Sequence, residues 1–444
     1  MKFSLRHVAG ALSIPAKVDT ATMVTGWSVD SRTIEPGDLY FALAGPNHDG
    51  HNFVGEVLAK GAAAVVVERP VQVGGPVLRV ADTLEALQAL AGWARRRWGG
   101  QVVAVTGSAG KTTTKEVIAH LLQTALPVAR SSGNLNNHVG VPLSILRISE
   151  EARVAVLEIG MNHAGEIRRL ARIAAPDIGV VTNVGHAHVE FFSSIDEVAL
   201  AKRELIEALP PGGVAVLNAD DERVARFREV HSGAVVTYGL SASADVRAEE
   251  VEYHSGGARF RVGDSVWFDS PLAGAHGVLN VLAGIAVAGV LGIEPDLLRE
   301  AVRSLASGDM RGRRLIHKGV TVFDDCYNSN PEAARRMLDL LGAEPARRRV
   351  AVLGEMLELG RWSESLHREV GVYAAARGID LLIGIRGAAR HMVESGQACG
   401  AAIFFDDPAQ AGEYLRGELR PGDAVLFKGS RGTRVEMALR SFME

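Results

Sequence analysis

Cysteine is almost missing from this 444-residue chain: only Cys326 and Cys399 occur, without a CxxC partner or any metal-type spacing. That excludes a disulfide framework and a cysteine-ligated metal centre, and a reducing cytoplasm is the simplest compartment. Long apolar runs are missing too. The opening, MKFSLRHVAGALSIPAK, lacks the sustained hydrophobic core of a secretory leader. The longest uncharged run, 271–293, is interrupted by His276, Asn280 and several glycines, and its unbroken apolar part, 281–293, is too short to cross a bilayer. A buried helix is expected there, with no membrane insertion. There is no basic excess: a net charge of −4 gives no overall field for nucleic acid, so no nucleic-acid partner is expected. Tandem repeats and low-complexity segments are also absent. What remains is the balance of an ordinary globular protein, 47% hydrophobic and 23% charged. At roughly 150 residues per domain the length suggests three domains.

The stretch at 101–126, QVVAVTGSAGKTTTKEVIAHLLQTAL, organises the rest. Val102, Val103, Ala104 and Val105 suit a strand buried on both faces of a parallel sheet. From Thr112 onward, Val117, Ile118, Leu121, Leu122 and Ala125 recur at helical spacing on one face. Between strand and helix lies Thr106, Gly107, Ser108, Ala109, Gly110, Lys111, Thr112 and Thr113, a short T-G-x-x-G-K-T phosphate loop in which Val105 stands where the longer form has its first glycine. Glycines let backbone N–H groups close on a polyphosphate at the positive end of a helix, Lys111 adds a point charge, and Thr112 offers a hydroxyl to magnesium. A dinucleotide fingerprint fits worse, because GxGxxG is absent and Lys111 would have no task in it.

Along the chain, residues 1–99 form a first unit ending in WARRRWGG, whose arginines read as a solvated helix end before a linker. In the second unit, 100–309, the apolar runs at 154–157, 178–181 and 214–217 each lead into polar residues: Glu158, then Thr182, Asn183 and His188, then Asn218, Asp220 and Asp221. Ligands of open α/β sheets sit outside the carboxyl ends of strands, so these groups gather beside Lys111. Glu158 offers a hard oxygen to magnesium. Read alone, His188 is either a metal ligand or a hydrogen-bonded structural imidazole, and Lys202 is a surface lysine of a helix. The third unit, 310–444, carries runs at 320–323, 350–353, 381–385, 403–405 and 425–427, a second α/β layer with its own parallel sheet. Two of its loops, DDCYNSNP and KGSR, place acids, amides and cations after strands.

Taken together, TGSAGKTTT, TNVGHAH, AKREL, LNADD and KGSR resemble motifs of the Mur ligases, ATP-dependent amide-forming enzymes of peptidoglycan precursor synthesis. GNLNNHVGVP, EIGMNHAGEI, DDCYNSNP and VLGEMLELG are similar to the MurF type, which adds D-alanyl-D-alanine. The resemblance covers nearly the whole chain. It implies a three-domain α/β fold: an N-terminal domain for the UDP end of the substrate, a central P-loop ATPase with a mostly parallel sheet, and a C-terminal Rossmann-like domain. It also implies ATP and Mg2+ as cofactors, UDP-N-acetylmuramoyl-tripeptide and D-alanyl-D-alanine as substrates, and a monomer. Ser31, Arg32, Asp49, Gly50 and His51 become candidates for the UDP end, and Asn134, Asn136 and Asn137 for substrate positioning. Lys111 and Thr112 match phosphate and magnesium positions, Glu158 and His188 match metal positions, and Lys202 matches a lysine carried as a carbamate, which turns its tip into an oxygen ligand. Asn280, Arg313, Asp325, Asn328 and Asn330 become nucleotide contacts, and Lys428, Ser430 and Arg431 substrate contacts.

The chain departs from the family pattern at Ala275 and Gly277, where Gly-Arg-His-Asn or Gly-Arg-His-Ser is favoured, at Cys326 in place of serine, and in the absence of a glycine at Phe192-Ser193-Ser194. Other readings compete. A Mur ligase adding the third amino acid commonly carries DNPR, a string not found here, and folylpolyglutamate synthases lack the N-terminal substrate domain. A third alternative is a nucleotide-binding switch without ligase chemistry.

Overall fold

The computed structural model describes residues 1–15, 21–254, 256–306, 308 and 310–444. Asp309, which closes the expected second unit, and Ala16 and Lys17, at the end of the opening stretch, lie outside the described residues.

A nine-stranded sheet forms the middle of the molecule. Its strand Gln101–Thr106 lies between Ile178–Val181 and Val154–Glu158, parallel to both. Val102 and Ala104 face one core, Val103 and Val105 the other, and all four are fully buried. That two-sided burial is why the run reads as continuously apolar. From Gln101–Thr106 the chain passes through helix Lys111–Leu122 to the edge strand Val128–Arg130. After Ile178–Val181 it moves the other way, through Val214–Asn218 and Ala234–Gly239, so the connections diverge at the phosphate loop. A crevice opens at such a switch point, outside the carboxyl ends of the strands. Two antiparallel strands, Gly257–Val262 and Val266–Ser270, finish the far edge.

The uncharged run becomes helix Gly274–Val290, buried against Lys111–Leu122. At Gly284 a Cβ would stand 2.8 Å from Leu121 Cδ1, so glycine permits the close approach of the two helices. Gly277 has a similar reason: a Cβ there would lie 2.5 Å from the Leu272 carbonyl oxygen, which accounts for its departure from the family pattern. Among the described residues no helix is long and apolar enough to cross a membrane.

Two smaller sheets flank this one. At the N-terminal side, Gly26–Ser28, Asp38–Phe41, Ala64–Val67 and Val77–Arg79 pair in parallel. At the C-terminal side, Arg313–His317 pairs antiparallel with Val320–Asp325, followed in order by parallel Ala424–Lys428, Arg349–Gly354, Leu381–Ile385 and Ala401–Phe405. The chain is thus the expected α/β fold with mostly parallel sheets.

Helix Thr83–Trp98 corrects one expectation. It stops at Gly99, whose φ of 74° suits glycine, but its last turn is not simply solvated. Arg96 and Arg97 are exposed, whereas Arg95 is buried and donates to the Ala174 and Ala175 carbonyls and to Asp177 Oδ2 at 2.8–2.9 Å. It fastens the N-terminal unit to the end of helix Glu166–Ala174. Arg95→Ala should lower stability by about 1.5–3 kcal/mol, the usual worth of charge-assisted hydrogen bonds, read as a lower urea midpoint.

Candidate active site

The phosphate loop is braced from the neighbouring strand. Thr182 Oγ1 and Asn183 Nδ2 donate to the Ala109 carbonyl at 2.7 and 3.0 Å, and Asn183 accepts from the Ser108 and Ala109 N–H groups. Gly107, at φ 150°, runs so close that a Cβ would lie 1.9 Å from Thr182 Oγ1. Gly110, at φ 80°, opens the helix. Lys111 Nζ folds back to the Gly107 carbonyl at 2.8 Å. Burial pulls the Lys111 pKa down, and Glu158 opposes that shift.

Glu158 ends strand Val154–Glu158 and is 2% exposed. Its Oε2 accepts from Thr112 Oγ1 at 2.6 Å and its Oε1 from Asn136 Nδ2 at 2.7 Å. A buried carboxylate is tolerated only with such partners.

These groups line one cavity of about 670 Å³. From the phosphate loop it takes Ser108, Ala109, Gly110, Lys111, Thr112 and Thr113. Asn134, Asn136 and Asn137 form one wall, and Glu158, His188 and Asn280 lie around the loop. The C-terminal unit adds Asp325, Asn328, Asn330 and Lys428. Gly107 lies behind the loop. Lys202 does not line the cavity either: on helix Ile195–Glu207 it is 1% exposed and has no hydrogen bond or ion pair among the described residues. That corrects its reading as a surface lysine. Burial first, and then the charge of Lys111, drives its pKa well below the ordinary lysine value.

His188 stands at φ 64°, with Nδ1 2.5 Å from Glu358 Oε2 but out of line for a hydrogen bond. Burial lowers its pKa, Lys111 and Lys202 push the same way, and Glu358 opposes them. The donors fit magnesium in part: Thr112 and Glu158 present hard oxygen to the cavity beside Lys111. Among the described residues no three His, Cys, Asp or Glu side chains converge on one point. The remaining positions would fall to phosphate oxygens and water.

Other expected residues have local partners. Asp49 Oδ1 accepts from His51 Nδ1 at 2.7 Å, and His51 Nε2 accepts from the Glu68 N–H at 3.1 Å, so neither ring nitrogen is left for a ligand. Gly50 lies in the same turn, under Tyr40. Arg32 makes a double contact with Asp30, and Ser31 gives its carbonyl to Lys60. None of the five lines the cavity. Lys428 Nζ reaches Asp325 Oδ2 at 2.5 Å and the Asn328 carbonyl at 2.9 Å. Ser430 is buried and accepts from the Leu357 N–H, and Arg431 pairs with Glu436; neither lines the cavity. Arg313 lies on an edge strand, and it is Arg311, over the ring of Tyr327 at 3.8 Å, that enters the cavity.

The C-terminal unit is closed on the centre. Asn330 Nδ2 donates to the Ser108 carbonyl at 3.4 Å, Glu332 takes both His186 Nδ1 and the His186 N–H, and Arg361 reaches the Ser193 carbonyl at 2.7 Å. Sequence reasoning missed Lys115, one turn beyond Lys111 and fully buried. Its Nζ donates to the Ser131 and Gly133 carbonyls at 2.7 and 2.9 Å, holding the loop that carries the three asparagines. The signal was available: Lys115 shares the helix with an apolar face that leaves little room for a solvated cation.

Family models match 23–135 ("Mur ligase family, catalytic domain"), 105–288 ("Mur ligase middle domain") and 310–431 ("Mur ligase, glutamate ligase domain"). The UDP-N-acetylmuramoyl-tripeptide--D-alanyl-D-alanine ligase of Bacillus subtilis is 33% identical, over 98% of this chain and 96% of its own length. The chain belongs to the Mur ligase family. Among solved structures, MurF from Acinetobacter baumannii superposes on this Mur ligase with a TM-score of 0.92 at 31% identity, covering 100% of this chain and 99% of the other. MurF from Thermotoga maritima in complex with ADP gives 0.85 at 30% identity, covering 95% and 97%.

Lys115→Met should lower kcat/KM for the ligase reaction by roughly a hundredfold, the scale of a loop displaced by about an ångström, and leave ADP affinity unchanged. Phosphate release and calorimetric ADP titration check the two halves.

Proposed function

We infer that this Mur ligase uses ATP to join D-alanyl-D-alanine to UDP-N-acetylmuramoyl-tripeptide, producing the pentapeptide precursor of peptidoglycan. The observation that carries this is the cavity itself: a braced phosphate loop with Lys111 and Thr112 shares one carboxylate, Glu158, with the asparagine loop across from it. The full-length likeness to ligases of that name supplies the substrates.

The γ-phosphoryl group of ATP passes to the terminal carboxylate of the tripeptide, giving an acyl phosphate and ADP. Carboxylate is a poor electrophile, and phosphate is a good leaving group. The amine of D-alanyl-D-alanine then attacks the acyl carbon, and the tetrahedral intermediate expels phosphate to leave an amide. Lys111 neutralises charge on the triphosphate, and the loop N–H groups orient it. Magnesium, held by Thr112, Glu158 and His188, would supply further neutralisation between phosphate and carboxylate. Asn134, Asn136 and Asn137 position the peptide end. Contacts such as Asn330 to Ser108 and Glu332 to His186 keep the cavity closed against water, which would hydrolyse the acyl phosphate.

Lys202 fits the carbamate role. A buried amine held neutral can attack CO2, forming an N–C bond and releasing one proton, and the resulting carboxylate would answer the charge of Lys111. Residues 1–99 hold the UDP end, 100–309 are the ATPase, and 310–444 close over it. In that division Asp49 and His51 shape the N-terminal loop, and Lys428 orients Asp325. Two isolated buried cysteines suit a reducing cytoplasm, and the protein acts as a monomer.

Lys111→Ala should abolish ATP-dependent product formation in a protein that keeps its circular-dichroism spectrum. Phosphate release by the wild type should require both D-alanyl-D-alanine and the UDP-tripeptide; release indifferent to either would point to a switch. Lys202→Ala should be impaired and partly rescued by added short carboxylates, and normal activity without them would remove the carbamate assignment.

A further inference from the structure

The cavity holds several cations, and all but one are engaged. Lys111 lies on the Gly107 carbonyl, Arg169 on Gln88, Lys428 on Asp325, and Arg311 over Tyr327. Arg336, on helix Pro331–Ala343, lines the same cavity and makes no hydrogen bond or ion pair with any described residue. Glu332 and Asp221 answer its charge only through space, and a guanidinium held half-dry with its donors unpaired is costly unless a ligand completes it.

Its place says which part of a ligand that is. The charges felt at Lys111 from the C-terminal unit are those of Arg311 and Glu358, whereas the charge of Arg336 acts on His276 and Tyr238. Tyr238 sits on Ala234–Gly239, and its hydroxyl donates to the Val181 carbonyl at 3.3 Å, so its ring lies across the sheet between its own strand and Ile178–Val181. Arg336 therefore stands at the Tyr238–His276 end of the cavity. That end is walled by Tyr238, Leu272, His276 and Met337, flat or apolar side chains that suit a heterocycle. The asparagine wall lies on the opposite side of the loop, towards Val128–Arg130.

We propose that Arg336 is the stacking contact for the base of the bound nucleotide, its planar guanidinium lying against the ring. This rests on the nucleotide reading of the cavity. Arginine is suited to the task because its flat, weakly hydrated cation covers a π face, which a lysine ammonium does not. The contact comes from the C-terminal unit, so the base is gripped in the closed form. Ala275, where the family pattern favours arginine, leaves helix Gly274–Val290 without such a cation, and Arg336 brings one from across the cavity.

The test is calorimetric binding of ADP and of inorganic tripolyphosphate, each with magnesium, to the full-length wild type, Arg336→Ala and Arg336→Lys. Arg336→Ala should weaken ADP roughly tenfold and leave tripolyphosphate unchanged, which also shows that the variant is folded. Arg336→Lys should resemble Arg336→Ala. In turnover, KM for ATP should rise with kcat nearly constant. Equal loss for both ligands would make Arg336 a phosphate contact, and undiminished ADP binding in either variant would remove the stacking role. Failure of the wild type to bind either ligand would instead overturn the nucleotide reading itself.

Discussion

Glu158 joins the two halves of the chemistry. One of its oxygens takes the hydroxyl that follows the phosphate-loop lysine, and the other takes an amide of the loop across the cavity. Because the carboxylate is 2% exposed, it has no water to fall back on, so both partners are held in place by the cost of leaving it bare. The phosphate loop and the asparagine loop are thus referred to the same carboxylate. The parallel sheet makes this possible, since Val154–Glu158 and Gln101–Thr106 are adjacent and end at the same level.

Three lysines near this point show how surroundings change one side chain. Lys111 rests on a carbonyl at the cavity edge, where a triphosphate can replace that partner. Lys115 is fully buried and saturated by two carbonyls and Glu116, so it acts as a structural fastener. Lys202 is equally buried, has no such partners and faces the charge of Lys111, which favours its neutral amine. Burial does not distinguish Lys115 from Lys202; the available oxygens do.

The closed arrangement joins polar contacts to a buried apolar cluster that runs from the central unit into the C-terminal one. Asn330 caps its own helix through Oδ1 and reaches Ser108 through Nδ2, so one amide both starts the helix and docks it on the phosphate loop. Glu332, two residues on, holds His186. Polar contacts of this kind exchange readily with water.

The inner parallel strands, the phosphate loop and the buried uncharged helix could be read from the residues, because they follow from local periodicity and from glycines at positions where a Cβ would collide; the antiparallel edge at Val246–His254, Gly257–Val262 and Val266–Ser270, half solvated and without a continuous apolar run, could not. Lys111, Thr112, Glu158 and the DDCYNSNP loop could be read as well, since their motifs sit at strand ends that a parallel sheet brings together; the asparagine loop was legible only through its likeness to family motifs. Which cations matter could not. Arg311 rather than Arg313, Arg95 as a clamp, Lys115 as a fastener, and Arg336 in the cavity differ from their neighbours only by which way a helix or strand turns them. Nor could the partners of His51, a candidate for the UDP end, whose ring nitrogens face Asp49 and the Glu68 N–H. The sequence by itself determined where backbone elements begin and end and which loops carry chemistry; tertiary packing alone decided which side chains keep a free face, because desolvation and partner supply depend on segments far apart in the chain.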